Sequence, residues 1–240
     1  MNTSPRSSGI QLGAAHGLRA VILAGGKGTR LHPFTVSFPK PLVPLGDRPV
    51  LEVLLQRLAR FGVTDITLTL GHLAELVKAY FGQRRQMLGD VQLRYVEEMQ
   101  PTGTAGSLAS VPGLDRTFLV MNGDLLTNLD FHALVAFHRQ QEALLTIAAH
   151  QREVKIDLGV LQLDERQRLT GYIEKPTQHY QVSMGIYIYE PAVLKYVPPN
   201  AYLDFPDLVL RLLAHGEKVC AYQTDCLWLD IGRPDDYARA

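Results

Sequence analysis

Short apolar runs alternate along the chain with segments whose apolar residues recur every three or four positions. The run RAVILAG (residues 19–25) is aliphatic and β-branched and ends in glycine, which predicts a buried strand. Pro49 then opens a segment in which Leu51, Leu54, Leu55 and Leu58 share one face at helical spacing. Pro49 suits a first helical position there, and Gly62 suits the exit. DITLTL (65–70) predicts a strand, HLAELVKAYFG (72–82) a helix and VQLRYV (91–96) a strand. TFLVMNGD (117–124) predicts a further strand, and DFHALVAFHRQQ (130–141) a helix capped by Asp130. Strand and helix in alternation predict an α/β fold: a Rossmann-like, mixed but mostly parallel sheet with helices on both faces.

The texture changes after Leu144. LLTIAAH (144–150), LGVLQLD (158–164), RLTGYIEKP (168–176) and SMGIYIYE (183–190) are strand-like with little helix between them. They predict a small antiparallel sheet on the substrate side. Within the last of them, Tyr187 and Tyr189 are expected to divide between core and surface. DFPDLVLRLLAHG (204–216) restores a helix, and KVCAYQT (218–224) and CLWLDIG (226–232) predict closing strands. The expected organisation is one domain over residues 18–240 behind a flexible tail over 1–17. That tail is small and polar and lacks the apolar stretch of a secretory signal. No run reaches the roughly 20 apolar residues of a membrane helix.

Composition narrows the partners. The 240 residues are 46% apolar and include 24 basic and 24 acidic side chains, a net charge of zero. This balance supplies no global field to recruit nucleic acid or a membrane, so any anion site must be local. The two cysteines, Cys220 and Cys226, match no zinc spacing and suit packed thiols in a reducing cytoplasm. His72, His132, His138 and His150 show no ligand spacing either.

One loop has the composition of an anion site. LAGGKGTRLHPFTVSFPKPL (23–42) follows the first predicted strand directly. Gly25, Gly26 and Gly28 allow backbone N–H groups to approach a ligand closely. Lys27, Arg30 and Lys40 offer positive charge, Arg30 as a fork suited to phosphate oxygens. Two familiar nucleotide motifs fail on position. A Rossmann fingerprint would need a third glycine where Leu31 stands, and Pro33, Pro39 and Pro41 occupy the ground of its helix. A Walker loop needs Gly-Lys-Ser/Thr, whereas Lys27 precedes Gly28 and Thr29.

With the later segments added, the pattern resembles the sugar-1-phosphate nucleotidylyltransferases. The resemblance is carried in order by LAGGKGTRL with FPKPLVPLGDRPVLE, then PTGTAGSL, NGDLL, EKP, MGIYIYE and WLDIGRPDDYARA. EEMQPTGTAGSL and NGDLL look more like mannose- or heptose-1-phosphate guanylyltransferases than thymidylyltransferases. The implied reaction joins an NTP and a sugar 1-phosphate to give an NDP-sugar and pyrophosphate. GTP with a hexose or heptose 1-phosphate is the expected pair; dTTP, UTP, CTP and ATP are the alternatives. A catalytically silent nucleotide-sugar-binding subunit is the alternative of another class, and it predicts loss of Arg30, Lys40, Asp124 or Asp230.

The resemblance also implies roles. Arg30 would hold the triphosphate and leaving pyrophosphate, Lys40 would reach the reacting phosphates, and Asp124 completes the catalytic set. Asp124 and Asp230 would bind Mg²⁺, which takes hard oxygen ligands. Leu23, Ala24, Gly25, Gly26, Gly28, Thr29, Glu98, Gly103 and Thr104 would hold the nucleotide. Glu98 or its neighbour Glu97 could read the base, since a carboxylate accepts hydrogen bonds only. Gly159, Glu174, Lys175 and Gly185 would meet the sugar phosphate, and Met184 stands where many relatives resembling guanylyltransferases carry Asn. Ending at DDYARA, the chain is expected to be a stand-alone catalytic core; a homo-oligomer stays open.

Overall fold

A computed structural model describes residues 13–26, 28 and 34–240. Strand β1 covers Arg19–Ala24. Its residues divide by parity: Ala20, Ile22 and Ala24 enter one apolar cluster and Val21 enters another. A strand covered on both faces reads as an unbroken apolar run, which is why RAVILA shows no polar alternation.

A two-residue ladder of β2 (Pro44–Leu45) and β3 (Arg48–Pro49) leads into α1 (Val50–Arg60). Leu51, Leu54, Leu55 and Leu58 are buried there as one stripe. Pro49 takes the cap position with extended backbone, one residue before the helix proper. Then come β4 (Asp65–Leu70), α2 (Ala74–Gln83) and β5 (Gln92–Glu97). A short α3 (Gly103–Gly106) precedes β6 (Phe118–Asn122) and β7 (Leu125–Thr127). Helix α4 (Phe131–Gln141) starts where expected: the Asp130 carboxylate accepts from the N–H groups of His132 and Ala133 at 2.9 and 3.1 Å.

The second half contributes β8 (Leu145–Lys155), β9 (Val160–Leu163), β10 (Leu169–Ile173) and β11 (Thr177–Tyr189). Helix α5 (Phe205–Ala214), β12 (Val219–Gln223), β13 (Trp228–Asp230) and α6 (Pro234–Arg239) close the chain. Among the described residues, one seven-stranded sheet has the order β12-β8-β11-β6-β1-β4-β5. Strands β6, β1, β4 and β5 are parallel, and β12 is parallel to β8. Only β11 runs against its neighbours. Helices α1, α2 and α4 pack on one face and α3 and α5 on the other. The expected mixed, mostly parallel sheet with helices on both faces is therefore present.

The expected small antiparallel addition is present as the β9–β10 ladder, with a second ladder of β13 and β7, while β8, β11 and β12 extend the main sheet. Two expectations read differently in the structure. Tyr187 and Tyr189 are both buried. Residues two apart on a strand point to the same face, and that face is covered by the cluster containing Leu208 and Leu212 of α5. Residues 13–17, expected as tail, form a packed turn. Ala15 is fully buried and donates its N–H to His132 Nδ1 at 3.0 Å, and Gly17 donates to the Gly62 carbonyl. Small residues conceal this: Ala15 enters the larger apolar cluster, Ala14 packs against it and His16 lies over Gly62. No helix among the described residues is long and apolar enough to cross a membrane.

Two substitutions separate core from cap. Leu55→Ala empties a fully buried position in the larger cluster and should cost about 2–5 kcal/mol. Asp130→Ala removes two cap bonds from an exposed helix start and should cost about 1 kcal/mol. Urea unfolding of both variants checks the order.

Candidate active site

The strand order reverses between β1 and β6: the chain steps from β1 outward to β4 and β5, then returns to the other side of β1. Open α/β sheets bind ligands above such a point, outside the carboxyl ends of their strands. A cavity of about 340 Å³ lies there. Its floor is Leu23, Ala24, Gly25 and Gly26 from the end of β1, with Asn122, Gly123 and Asp124 from the end of β6. Glycine is required at position 71, just past β4. A Cβ there would sit 2.8 Å from the Gly25 carbonyl oxygen, so the two backbones could not meet. Gly71 was not singled out in the sequence, although its place at a strand's carboxyl end is the signal that could have found it.

Lys40 reaches this floor from a single helical turn over Lys40–Leu42. Pro39 supplies extended backbone before the turn, and both prolines beside Lys40 are buried. The Lys40 ammonium forms an ion pair with Asp124, and both side chains are largely shielded from solvent. It crosses Gly232 so closely that a Cβ there would collide with Nζ. Gly28 is held beside it: Thr35 Oγ1 donates to the Gly28 carbonyl at 2.6 Å, and a Cβ on Gly28 would lie 3.1 Å from Cβ of Lys40.

Asp230 arrives from the far end of the chain. Strand β13 pairs with β7 so that Asp230 stands opposite Leu125, and the Ile231 N–H donates to the Asp124 carbonyl at 2.9 Å. The Asp230 carboxylate accepts from the Gly232 N–H at 2.9 Å. Two carboxylates and one ammonium thus line one part of the cavity together. Two hard oxygen donors, one in the turn between β6 and β7 and one at the end of β13, already facing a cation, are a donor set compatible with a divalent ion that takes its other ligands from phosphate and water.

The opposite wall is Glu98, Gly103, Thr104, Ser107, Tyr202 and Asp204. Glu98 and Glu97 have separate environments. Glu97 pairs with Lys78 of α2, whereas Glu98 turns into the cavity, its carboxyl carbon 3.8 Å from where a Gly25 Cβ would stand. Burial pushes the Glu98 carboxyl above its usual range, against the opposing pull of the Thr102 backbone. Gly103 and Thr104 are latched to a segment a hundred residues away. The N–H groups of Ala105 and Gly106 donate to the Leu203 carbonyl, and Leu203 donates back to Thr102. The Asp204 carboxylate accepts from the Thr104 N–H at 3.1 Å and from Tyr202 Oη at 2.6 Å. The Tyr202 hydroxyl holds that carboxyl below its usual range, with the Thr104 bonds acting the same way. The Ser107 hydroxyl is buried without a partner among the described residues, beside this wall. Ser107 lies within PTGTAGSL but was not singled out; Tyr202 and Asp204 carry no motif of their own, and only the tertiary latch brings them here.

A second cavity, of about 430 Å³, shares Thr104, Asn122 and Asp230 with the first. Gly185, expected on the sugar side, lines it together with Met184, Tyr187, Phe205, Trp228 and Arg152. The Met184 side chain is fully buried, and its carbonyl accepts from the Trp228 indole N–H at 2.9 Å. Gly159, Glu174 and Lys175 line neither cavity. They belong to the neighbourhood of the exposed β9–β10 ladder, where Tyr172 covers Gly159 and donates to Glu174 at 2.9 Å. Lys27, Thr29 and Arg30 lie outside the described residues. His132, His138 and His150 have structural partners: the Ala15 N–H, Thr146 with Glu190, and the Thr224 carbonyl. Cys220 and Cys226 are free thiols.

A sheet that reverses order beneath two joined cavities defines an open, doubly wound α/β domain with room for two ligands side by side. The chain belongs to the nucleotidyl transferase family, whose profile matches residues 19–240. A UTP–glucose-1-phosphate uridylyltransferase of Synechocystis sp. is 34% identical, across 93% of this chain and 62% of that relative. A mannose-1-phosphate guanylyltransferase of Mycobacterium tuberculosis is 35% identical, across 94% of this chain and 64% of that one. The crystal structure of HddC from Yersinia pseudotuberculosis superposes with a TM-score of 0.71 at 26% identity, covering 93% of this chain and 97% of the other. The chain thus spans less than two thirds of the length of these two curated relatives.

The Glu98 environment predicts a pH effect. Below the ordinary carboxyl range Glu98 is protonated in both folded and unfolded chains and costs nothing. As pH rises through the raised folded value, the folded chain must hold a poorly solvated charge, so stability is lost. Glu98→Gln should therefore melt above the wild type at pH 7 and level with it near pH 4. Thermal unfolding at the two pH values checks this.

Proposed function

We propose that this chain is a sugar-1-phosphate nucleotidylyltransferase, with GTP and a hexose or heptose 1-phosphate as its substrates. The observation that carries the reading is the meeting of Lys40, Asp124 and Asp230 where the two cavities join. A nucleotide over the carboxyl ends of β1 and β6 brings its phosphates to this point, and a sugar phosphate in the second cavity approaches from the other side. The sugar phosphate oxygen attacks the α-phosphorus in line, and pyrophosphate leaves. A phosphate dianion is already a nucleophile, so the protein's work is alignment and charge neutralisation.

Lys40 exchanges its resting partner, Asp124, for phosphate oxygens, held in place by its proline-framed turn. Arg30 is assigned to the β- and γ-phosphates on the motif alone. Asp124 and Asp230 would hold Mg²⁺, which neutralises phosphate charge and fixes the phosphates' orientation when bound. The backbone of Leu23–Gly26, with Gly103 and Thr104, lines the nucleoside. Glu98, when ionised, can accept from both N1–H and the 2-amino group of guanine. UTP is the specific alternative, favoured by the likeness to a uridylyltransferase. A silent binding subunit would have no need of the Lys40, Asp124 and Asp230 constellation.

Asp124→Asn should lower kcat by about 10²–10³ while the melting temperature and near-ultraviolet dichroism remain those of a folded protein. Full turnover in that variant rejects the assignment. A grid of GTP, dTTP, UTP, CTP and ATP against hexose and heptose 1-phosphates with Mg²⁺, read by pyrophosphate release, should give its highest kcat/KM with GTP. Glu98→Gln should shift that base preference, and an unchanged profile removes Glu98 as the base reader.

A further inference from the structure

Strands β8 and β11 pair regularly from Thr177 opposite Lys155 to Ser183 opposite Ala149. Pairing resumes only with Tyr187 opposite Ile147. Three residues of β11, Met184, Gly185 and Ile186, therefore stand against one residue of β8. Gly185 has φ +72°, and a Cβ on it would lie 2.6 Å from the Asn122 amide nitrogen. Bulges of this kind bend a strand and re-aim its side chains, and they gather beside active sites. This one lies in the wall of the second cavity.

That cavity has two ends. Thr104, Asn122 and Asp230 form the end shared with the nucleotide cavity, where the sugar's reacting phosphate belongs. Arg152 marks the other end. It stands opposite Tyr180, three residues beyond the pairing of Ala149 with Ser183, or roughly 10 Å farther along the strand. Strand parity puts it on the same face as His150 and Val182, and Val182 lines the cavity too.

Arg152 differs from the other half-buried arginines. Arg19, Arg57 and Arg211 each donate to a backbone carbonyl, of Gly113, Leu129 and Tyr196 respectively. Arg152 has no hydrogen-bond or ion-pair partner among the described residues. Among the described residues, the one carboxylate lining this cavity, Asp230, lies at the reacting end. A guanidinium partly withdrawn from water and left unpaired favours a carboxylate or phosphate, which it binds through two parallel N–H donors.

Resting on the nucleotidylyltransferase reading, we propose that Arg152 is a specificity residue that selects a sugar 1-phosphate carrying a second anionic group, carboxylate or phosphate, at the end remote from C1. Trp228, Tyr187 and Phe205 supply the apolar walls against which the ring lies between the two charges.

The test compares glucose 1-phosphate, glucuronic acid 1-phosphate and glucose 1,6-bisphosphate, with the mannose series in parallel. Binding to the full chain is measured by calorimetry without nucleotide, and KM by pyrophosphate release with GTP and UTP. The two acid-bearing sugars should bind at least tenfold more tightly than the neutral one. Arg152→Gln should abolish that preference while changing the neutral sugar's affinity less than threefold; Arg152→Lys should keep part of it. The uronic acid is the deciding arm, because the bisphosphate can place either phosphate at the reacting end. Equal binding of all three sugars by the wild type overturns the proposal, as does an equal loss for all three in Arg152→Gln. Turnover of glucose 1-phosphate without any acid preference sinks the Arg152 assignment alone. An acid preference in binding with no turnover of any pair sinks the nucleotidylyltransferase reading and leaves Arg152 as an anion site.

Discussion

The ladder between β7 and β13 is three residues long, yet it joins parts of the chain a hundred residues apart at the point where both cavities meet. Thr127 Oγ1 donates to the Leu227 carbonyl at 2.8 Å and accepts from the Leu129 N–H. The Leu227 N–H donates to Asn128. Behind the ladder, Leu229 and Ile231 pack with Val43 and Val50 in a small apolar cluster separate from the two large ones. The turn bearing Lys40, the start of α1 and the strand bearing Asp230 are thus anchored together. Without that cluster, bringing two carboxylates and an ammonium together would have to be sustained by their own attraction, which water weakens.

Elements that answer to a local rule were legible in the sequence. The leucine stripe of α1, the Asp130 cap and the apolar run of β1 each follow from burying one face or satisfying one helix end, with no knowledge of distant residues. The sequence pointed to Lys40, Asp124 and Asp230 through their motifs, and the fold brings the three side chains to one cavity. The errors arose where a distant partner decides. Ala15 is buried because His132 receives its N–H. The late strands join the main sheet because β11 has an open edge of β6 to pair with, which no local pattern reveals. Tyr202, Asp204 and Arg152 come to the cavities through pairings with residues far away in sequence.

The two cavities differ in how they are built, and this bears on what can vary between relatives. The first takes its glycine-rich floor from strand ends and its far wall from a latch of main-chain hydrogen bonds between residues 102–106 and Leu203. The main-chain part of such a wall fixes geometry whatever side chains it carries. The second is lined largely by side chains: Arg152, Val182, Tyr187, Phe205 and Trp228 among them. Its chemistry can be altered one residue at a time without moving the sheet. A family whose members act on different sugars and bases, as the matched relatives' names say, has use for such a division.

Within the seven-stranded sheet, the one strand that opposes its neighbours, β11, has a consequence for how the chain is made. Synthesis delivers β6 well before β11, and β8 emerges between them but is not β6's neighbour in the sheet. From the completion of residue 122 until residue 189 exists, the outer edge of FLVMN has no permanent partner. An apolar strand with one row of free amides and carbonyls is an invitation to pair with any other extended chain. The same central placement that later seals the sheet therefore leaves the nascent protein with a temporary adhesive edge while residues 123–189 are being made. A chaperone's opportunity, and the hazard of a premature stop, both fall in that interval.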